Sequence, residues 1–172
     1  MQHIILQSSL IDTPLGQMIA IADENTLHLI QFTDHRCLQR DIKRLQAQTK
    51  STIISGITEP IKSIEHELQA YFAGKLQKFQ TPLCLRGTAF QQSVWLALQQ
   101  IPFAATQSYA NLAATIGKPT AFRAVALANA ANQFVIAIPC HRVINKNGDL
   151  GGYSCGLSRK ALLLQHEKTI VS

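Results

Sequence analysis

Apolar and polar positions alternate loosely through residues 3–32: HIILQSSLI, a TPLG turn, QMIAIA, a DEN turn and LHLIQF. That period predicts a meander of three antiparallel strands. The period then lengthens. Leu38, Ile42 and Leu45 recur at helical spacing among Arg and Lys, and Ile64, Leu68, Tyr71 and Phe72 do so ahead of Gly74, a fitting helix terminator. Both segments read as surface helices packed on the sheet. In KLQKFQTPLCLRGT the periodicity lapses and Pro and Gly enter, which places a boundary near residues 75–87.

The second half follows another rhythm. Thr88, Ala89, Phe90 and Gln91 have capping-box spacing, and Phe90, Val94, Leu98 and Ile101 continue as one helical stripe. Ser108 can cap a helix through YANLAATI that Gly117 ends; after the KPT turn, Thr120 can cap a second helix, AFRAVALANAAN. This is helix-turn-helix spacing. Phe134–Ile138 is a short β-prone apolar run that reads as a strand, followed by PCHRVI, an NKNG turn, a flexible GGYSCG loop and a last helix from Ser158 through KALLLQHE. The pattern predicts an α/β (α+β) N-terminal domain over residues 1–80, with the three-stranded antiparallel meander and helices. A mainly helical, winged-helix-like C-terminal domain with a helix-turn-helix is expected over residues 87–172.

Composition narrows the class. The chain has 172 residues, 47% of them hydrophobic and 15% charged, so the disorder signature of high charge with few apolar residues is missing. A formal charge of +6 suits a polyanionic partner without requiring one. No stretch approaches the roughly 18 consecutive apolar residues of a membrane span, and the N-terminal residues have neither the basic n-region nor the apolar h-region of a secretion signal. A cytoplasmic protein with no membrane association is expected. Cys37, Cys84, Cys140 and Cys155 lie far apart with no C-x-x-C pair, so free thiols and no metal site are expected.

Candidate chemistry centres on Ile138-Pro139-Cys140-His141-Arg142, where an apolar segment delivers a cysteine followed by two potential cations. A thiol becomes nucleophilic as thiolate, and neighbouring positive charge or a base favours that form. A lone cysteine after an apolar run is usually an inert buried residue; the adjoining His141 and Arg142 argue against inertness. Glu167, in the last helix, can return to form a Cys, His, Glu relay, although a helical glutamate usually faces solvent. In the second helix of the helix-turn-helix, Arg123 precedes Ala124, Val125, Ala126, Leu127 and Ala128, a surface short of side-chain bulk that lets a helix approach a DNA groove, or simply an Ala-rich core helix. Arg123 tips the balance, because a planar guanidinium can stack in a duplex that has lost a base. Tyr109 reads either as a half-buried core aromatic or as a phenol that contacts phosphate or gives a proton. Asn132 reads as a helix C-terminal residue tolerant of left-handed geometry, or as an amide that pins the cysteine loop.

Taken together, GTAFQQSVW, SYANLAATIGKP, FRAVALANAAN, IPCHRVI, GGYSCG and SRKALLLQHE resemble the methylated-DNA:protein-cysteine methyltransferases, also called 6-O-alkylguanine-DNA alkyltransferases. The resemblance implies a single-turnover DNA-repair reaction without a cofactor. The alkyl group of 6-O-alkylguanine in double-stranded DNA would pass to Cys140, with 4-O-alkylthymine a second candidate substrate. It implies His141 as the base through a water, Glu167 as the carboxylate orienting it, and Asn132 as the tie of the active-site loop. Tyr109 would crowd the target phosphate and give a proton to the leaving guanine, and Arg123 would fill the vacated stack. The second helix would lie in the minor groove, with Lys118, Thr120, Ala124 and Lys146 as further DNA contacts. Val143, Tyr153 and Ser154 would form the base pocket. A monomer is expected, with clustering on DNA left open.

The chain departs from the family's commonest pattern at Leu127, where a small residue is frequent, and at Gln133, Cys155 and Ala161-Leu162. An alkyltransferase-like module that flags damage without transfer would lack the acceptor cysteine. An ordinary helix-turn-helix regulator would need no PCHR and would protrude base-reading polar side chains. A cysteine hydrolase using the same triad would turn over.

Overall fold

The computed structural model describes residues 3–172. The chain forms two units, one reaching Cys84 and the other starting at Leu85.

In the first unit the meander is present as β1 (Ile4–Thr13), β2 (Gly16–Ala22) and β3 (Leu27–Phe32). A fourth strand, β4 (Ser51–Ser55), lies parallel to β1, giving the order β3-β2-β1-β4. STIIS is five residues long and polar at both ends, too short for periodicity to mark, yet its β-branched centre suits a pleated surface. The helix α1 (Leu38–Thr49) crosses from β3 to β4 and ends at Lys50, whose φ of 52° is left-handed. Its Leu38 and Leu45 join Leu6, Ile21 and Leu29 in a buried cluster, with Ile42 packed against it. In α2 (Glu59–Phe72) Ile61, Ile64, Leu68 and Tyr71 are buried.

The stretch where periodicity lapses is ordered by hydrogen bonds rather than by a repeating side-chain pattern. The buried Glu67 carboxylate accepts the backbone N–H groups of Gln80 (2.5 Å) and Thr81 (2.8 Å). Leu27 in β3 exchanges 2.8 Å bonds with Pro82 and Cys84.

The second unit begins with α3 (Ala89–Leu98), opened by the expected capping box between Thr88 and Gln91. Next come β5 (Gln107–Ser108), α4 (Tyr109–Thr115), α5 (Phe122–Ala130), β6 (Val143–Ile144) and α6 (Leu157–Val171). Ser108 caps α4 by accepting from the Asn111 N–H at 3.0 Å, and Gly117 takes a φ of 76° just past its end. Thr120 does not cap α5. The turn closes from Ala121 N–H to Lys118 C=O, so the chain runs one residue further and Ala121 becomes an N-cap without a side-chain acceptor. The α3 helix is tied to α5 by Trp95, whose indole N–H donates to the Ala128 carbonyl at 2.9 Å.

Residues 134–138 also differ from expectation. They are buried as the apolar run requires, but as a turn rather than a strand: Ile138 N–H bonds back to Phe134 C=O at 2.8 Å, and Ile136 sits at a φ of 73°. Among the described residues no strand pairs with this segment, which carries only an isolated bridge between Val135 and Ile138, so local bonds and the Asn132 side chain satisfy its backbone.

Candidate active site

Two features of the fold bring the site together. The parallel pairing of Gln107 with Val143 and Ser108 with Ile144 sets the start of α4, and hence Tyr109, beside the residues that follow Cys140. The buried stripe of α6, Lys160, Leu163 and Glu167, recurs at helical spacing and faces the same turn.

Cys140, His141 and Arg142 form one 3-10 turn, and all three are buried. A buried donor or acceptor must find a partner, and the partners here are specific. The Cys140 carbonyl accepts from the Val143 N–H and from the Asn129 amide at 3.3 Å. Asn132 donates to the Ile138 carbonyl at 2.9 Å and accepts the Phe134 N–H at 2.9 Å, fixing the turn that leads into Pro139. It has no left-handed backbone, so pinning the loop is the reading its geometry fits.

The structure brings Glu167 to His141: Nε2 and Oε1 are 2.8 Å apart, both side chains fully buried. Glu167 also accepts from Arg142 Nε at 3.0 Å and Nη2 at 2.8 Å, and from the Ala104 N–H at 3.2 Å. Ala104 reaches it from a left-handed φ of 66°. Burial alone would raise the Glu167 pKa, but the bonds from His141 and Arg142 overcome it and hold the carboxyl down at about 2. Arg142 donates further to the Ile101 carbonyl at 2.8 Å and lies over the Phe103 ring at 5.6 Å.

His141 is pushed below its ordinary pKa, chiefly by burial; Glu167 opposes this, and Arg142 works against Glu167. The guanidinium neutralises the carboxylate that would otherwise charge the imidazole. A neutral His141 satisfies Glu167 only with its proton on Nε2, which leaves the buried Nδ1, with no hydrogen-bond partner among the described residues, as the basic nitrogen. The Cys140 thiol is pushed up by burial and drawn down by a bond from Asn132 and by the charge of Lys160. At rest the site therefore holds a protonated thiol beside a neutral base.

Tyr109 is half-buried, and its phenol pKa is raised by burial and by the approach of Cys140, so it keeps its proton at neutral pH. A side chain at Gly151, where φ is 70°, would meet Asn145 Oδ1 at 2.9 Å and the Tyr109 ring at 3.3 Å, so the glycine keeps this loop close to the phenol. Val143 is fully buried, and Tyr153 and Ser154 are half-buried. On the helix-turn-helix, Lys118, Thr120, Arg123 and Ala124 are exposed, as is Lys146 on the NKNG turn; none of these five is part of the buried cluster. Leu127 is 75% exposed, one turn beyond Arg123 on the same face of α5. Arg142, Asn129 and Lys160 were not singled out as site residues in the sequence. Arg142 was visible as a neighbouring cation, but nothing in spacing marks an asparagine or a lysine as turned inward.

Among the described residues, no cluster of three or more His, Cys, Asp or Glu could hold a metal ion, and no helix is long and apolar enough to cross a membrane. The four cysteines are free thiols.

The second unit thus combines a helix-turn-helix with a buried cysteine and an adjoining histidine held by a buried carboxylate. Two family profiles match the chain: the 6-O-methylguanine DNA methyltransferase ribonuclease-like domain over residues 6–85, and the DNA binding domain of the same family over residues 89–169. A methylated-DNA–protein-cysteine methyltransferase of Methanosarcina acetivorans is 37% identical over 162 residues, covering 92% of this chain and 96% of that protein. The constitutive Bacillus subtilis protein of that name is 39% identical over 158 residues, covering 91% and 92%. The crystal structure of Mycobacterium tuberculosis OGT in complex with DNA superposes with a TM-score of 0.81 at 38% identity, covering 97% of this chain and 94% of that one. The chain belongs to the methylated-DNA–protein-cysteine methyltransferase family.

Proposed function

We propose that Cys140 is the acceptor through which this DNA-repair protein removes the alkyl group from 6-O-alkylguanine in DNA. The observation that carries the assignment is the hydrogen-bonded series around one buried thiol. Glu167, ionised and locked by Arg142, holds His141 with Nδ1 as base, and Asn132 steadies the turn that presents Cys140. In the reaction Cys140 gives its proton to His141 Nδ1 through a bridging water. The thiolate forms an S–C bond to the alkyl carbon in line with the breaking C–O bond, whose electron pair leaves on the guanine. Tyr109 donates the proton that neutralises the departing base. A thioether has no ready hydrolytic route back to thiol, so each chain acts once.

The same reading gives the exposed face of α5 to the minor groove, with Arg123 filling the stack after the damaged nucleotide is flipped out, Ala124 allowing close approach, and Lys118, Thr120 and Lys146 near phosphates. Val143, Tyr153 and Ser154 line the pocket for the base. The protein works as a cytoplasmic monomer, a reading that the four free thiols and the stoichiometric chemistry support. A damage-flagging module without transfer is disfavoured by Cys140 itself, which has a base and a carboxylate arranged behind it.

Mass spectrometry after mixing with DNA containing 6-O-methylguanine is the test. One methyl group should appear on the Cys140 peptide and never more than one per chain. Turnover beyond one equivalent, or methyl mainly on Cys37, Cys84 or Cys155, rejects the mechanism.

A further inference from the structure

One buried charge is left without an ionic partner by the series just described. Lys160, in the first turn of α6, is fully buried. Its ammonium donates to the Val143 carbonyl at 2.6 Å and to the Gly152 carbonyl at 3.0 Å. Those carbonyls belong to the end of the Cys140 turn and to the loop that carries Tyr153 and Ser154. No carboxylate pairs with it among the described residues, because Glu167, two turns further along α6, is taken by His141 and Arg142. A buried ammonium held only by carbonyl dipoles is costly, so an anion arising close by would offset part of that cost.

We propose that the Lys160 ammonium is the counter-charge of the Cys140 thiolate, a positioning residue that clamps the nucleophile's turn to the base-receiving loop and favours the ionised sulfur.

The surrounding charges leave this role open. His141 is neutral, Arg142 is neutralised by Glu167, Tyr109 and Cys155 keep their protons, and Arg159 is partly exposed and donates to the Cys155 carbonyl. Cys140, once ionised, is the group that acts on Lys160. Burial lowers the lysine's pKa to about 8, and the sulfur opposes that fall. The effect is reciprocal, since Lys160 draws the thiol back from the rise that burial imposes. Proton release to His141 thus forms an anion on the turn whose end the cation already holds.

The inference rests on Cys140 being the acceptor, but its test reads the thiol directly and without DNA. The rate of carbamidomethylation of Cys140 by iodoacetamide is followed against pH on the Cys140 peptide, in the full chain and in Lys160→Met and Lys160→Arg. Methionine should cut the rate at pH 7, where Lys160 still carries its charge, about tenfold, the loss of thiolate that one pH unit represents. Arginine, which keeps the charge, should hold the pH 7 rate near that of the unaltered protein. A pH 7 rate unchanged in Lys160→Met overturns the proposal and leaves Lys160 as a structural tie. Should Lys160→Met fail to fold, the reverse experiment decides. In Cys140→Asp, which sets a lasting anion on the turn, the Lys160 NMR titration midpoint, followed with isotope-labelled lysine, should rise; an unchanged midpoint refutes the coupling. A methyl group found on another cysteine would sink the acceptor assignment while leaving this titration intact.

Discussion

Replacing Glu167 by Gln removes one negative charge and almost no volume from a fully buried position. The carboxyl's pKa is held at about 2 against an ordinary 4.5. At about 1.36 kcal/mol per pH unit, that gap stabilises the folded state by about 3 kcal/mol. The independent expectation for breaking a buried ion pair from one side is of the same order, roughly 3–5 kcal/mol, because the Arg142 guanidinium is left buried and uncompensated. A depressed carboxyl pKa contributes stability that is complete above pH 4.5 and lost as pH falls towards 2. The variant should therefore be about 3 kcal/mol less stable at pH 7, with the difference shrinking below pH 4.5 as the unaltered protein loses the same charge. His141 adds a separate acid weakness at higher pH: its pKa is depressed below 6.5, so the unfolded chain takes up a proton that the folded chain refuses as pH falls through 6.5. Urea unfolding followed by fluorescence of Trp95, the only tryptophan and buried in the second unit, reads this without assuming that both units unfold together. A difference under about 1 kcal/mol at pH 7, or one that persists undiminished at pH 3, would show that the carboxylate is not the ionised centre of the network.

Three further outcomes test the assignment. Cys140→Ala should abolish transfer yet keep DNA binding in a gel-shift assay, because the exposed helix-turn-helix does not depend on the thiol; loss of both activities together refutes that separation. Arg123→Ala should slow repair of duplex DNA more than reaction with free 6-O-benzylguanine, where no base stack must be filled, and Lys should rescue poorly because it lacks a flat guanidinium; equal losses on both substrates would remove the intercalation reading. Asn132→Ala strands the Phe134 N–H inside the protein and leaves the Ile138 carbonyl with the Cys140 N–H alone, so about 1–3 kcal/mol of stability should be lost and iodoacetamide should reach the thiolate only at higher pH; a stable variant with an unshifted pH profile would make Asn132 dispensable to the loop.

Elements with a strong local signal were legible. The capping box at Thr88, the Ser108 cap and the helix stop at Gly117 depend on residues within one turn of each other, so the sequence displays both partners. The β4 strand was not legible, because it is a strand only through its long-range parallel pairing with β1. Residues 134–138 misled for the same reason: an apolar β-prone run reports burial, while strand or turn depends on whether a neighbour offers a ladder. In the site, Cys140, His141 and Arg142 are contiguous and readable as a unit. Glu167 reads from the sequence either as a relay carboxylate or as an ordinary solvated glutamate, the family resemblance favours the first, and its contact with His141 is created by the packing of α6. Lys160 and Asn129 carried no signal, since a lysine on an otherwise amphipathic helix is ordinarily solvated.

On the proposed mechanism, the arrangement also explains how a single-use thiol escapes waste. A reactive cysteine is usually exposed and already ionised; Cys140 is 3% exposed, with its pKa raised by burial. Stray electrophiles in water therefore meet a protonated, shielded sulfur, which is slow to react with any of them. The groups that would ionise it are nonetheless preassembled. His141 is kept neutral chiefly by burial, with Arg142 offsetting the carboxylate that orients it, so its Nδ1 can accept a proton. Had Glu167 lacked Arg142, the imidazole would more readily carry a proton of its own and could not accept one from sulfur. In the proposed reaction Arg142, two residues from Cys140, thus helps burial keep the imidazole deprotonated as well as anchoring the turn, and transfer awaits a bound base that brings an alkyl carbon into line.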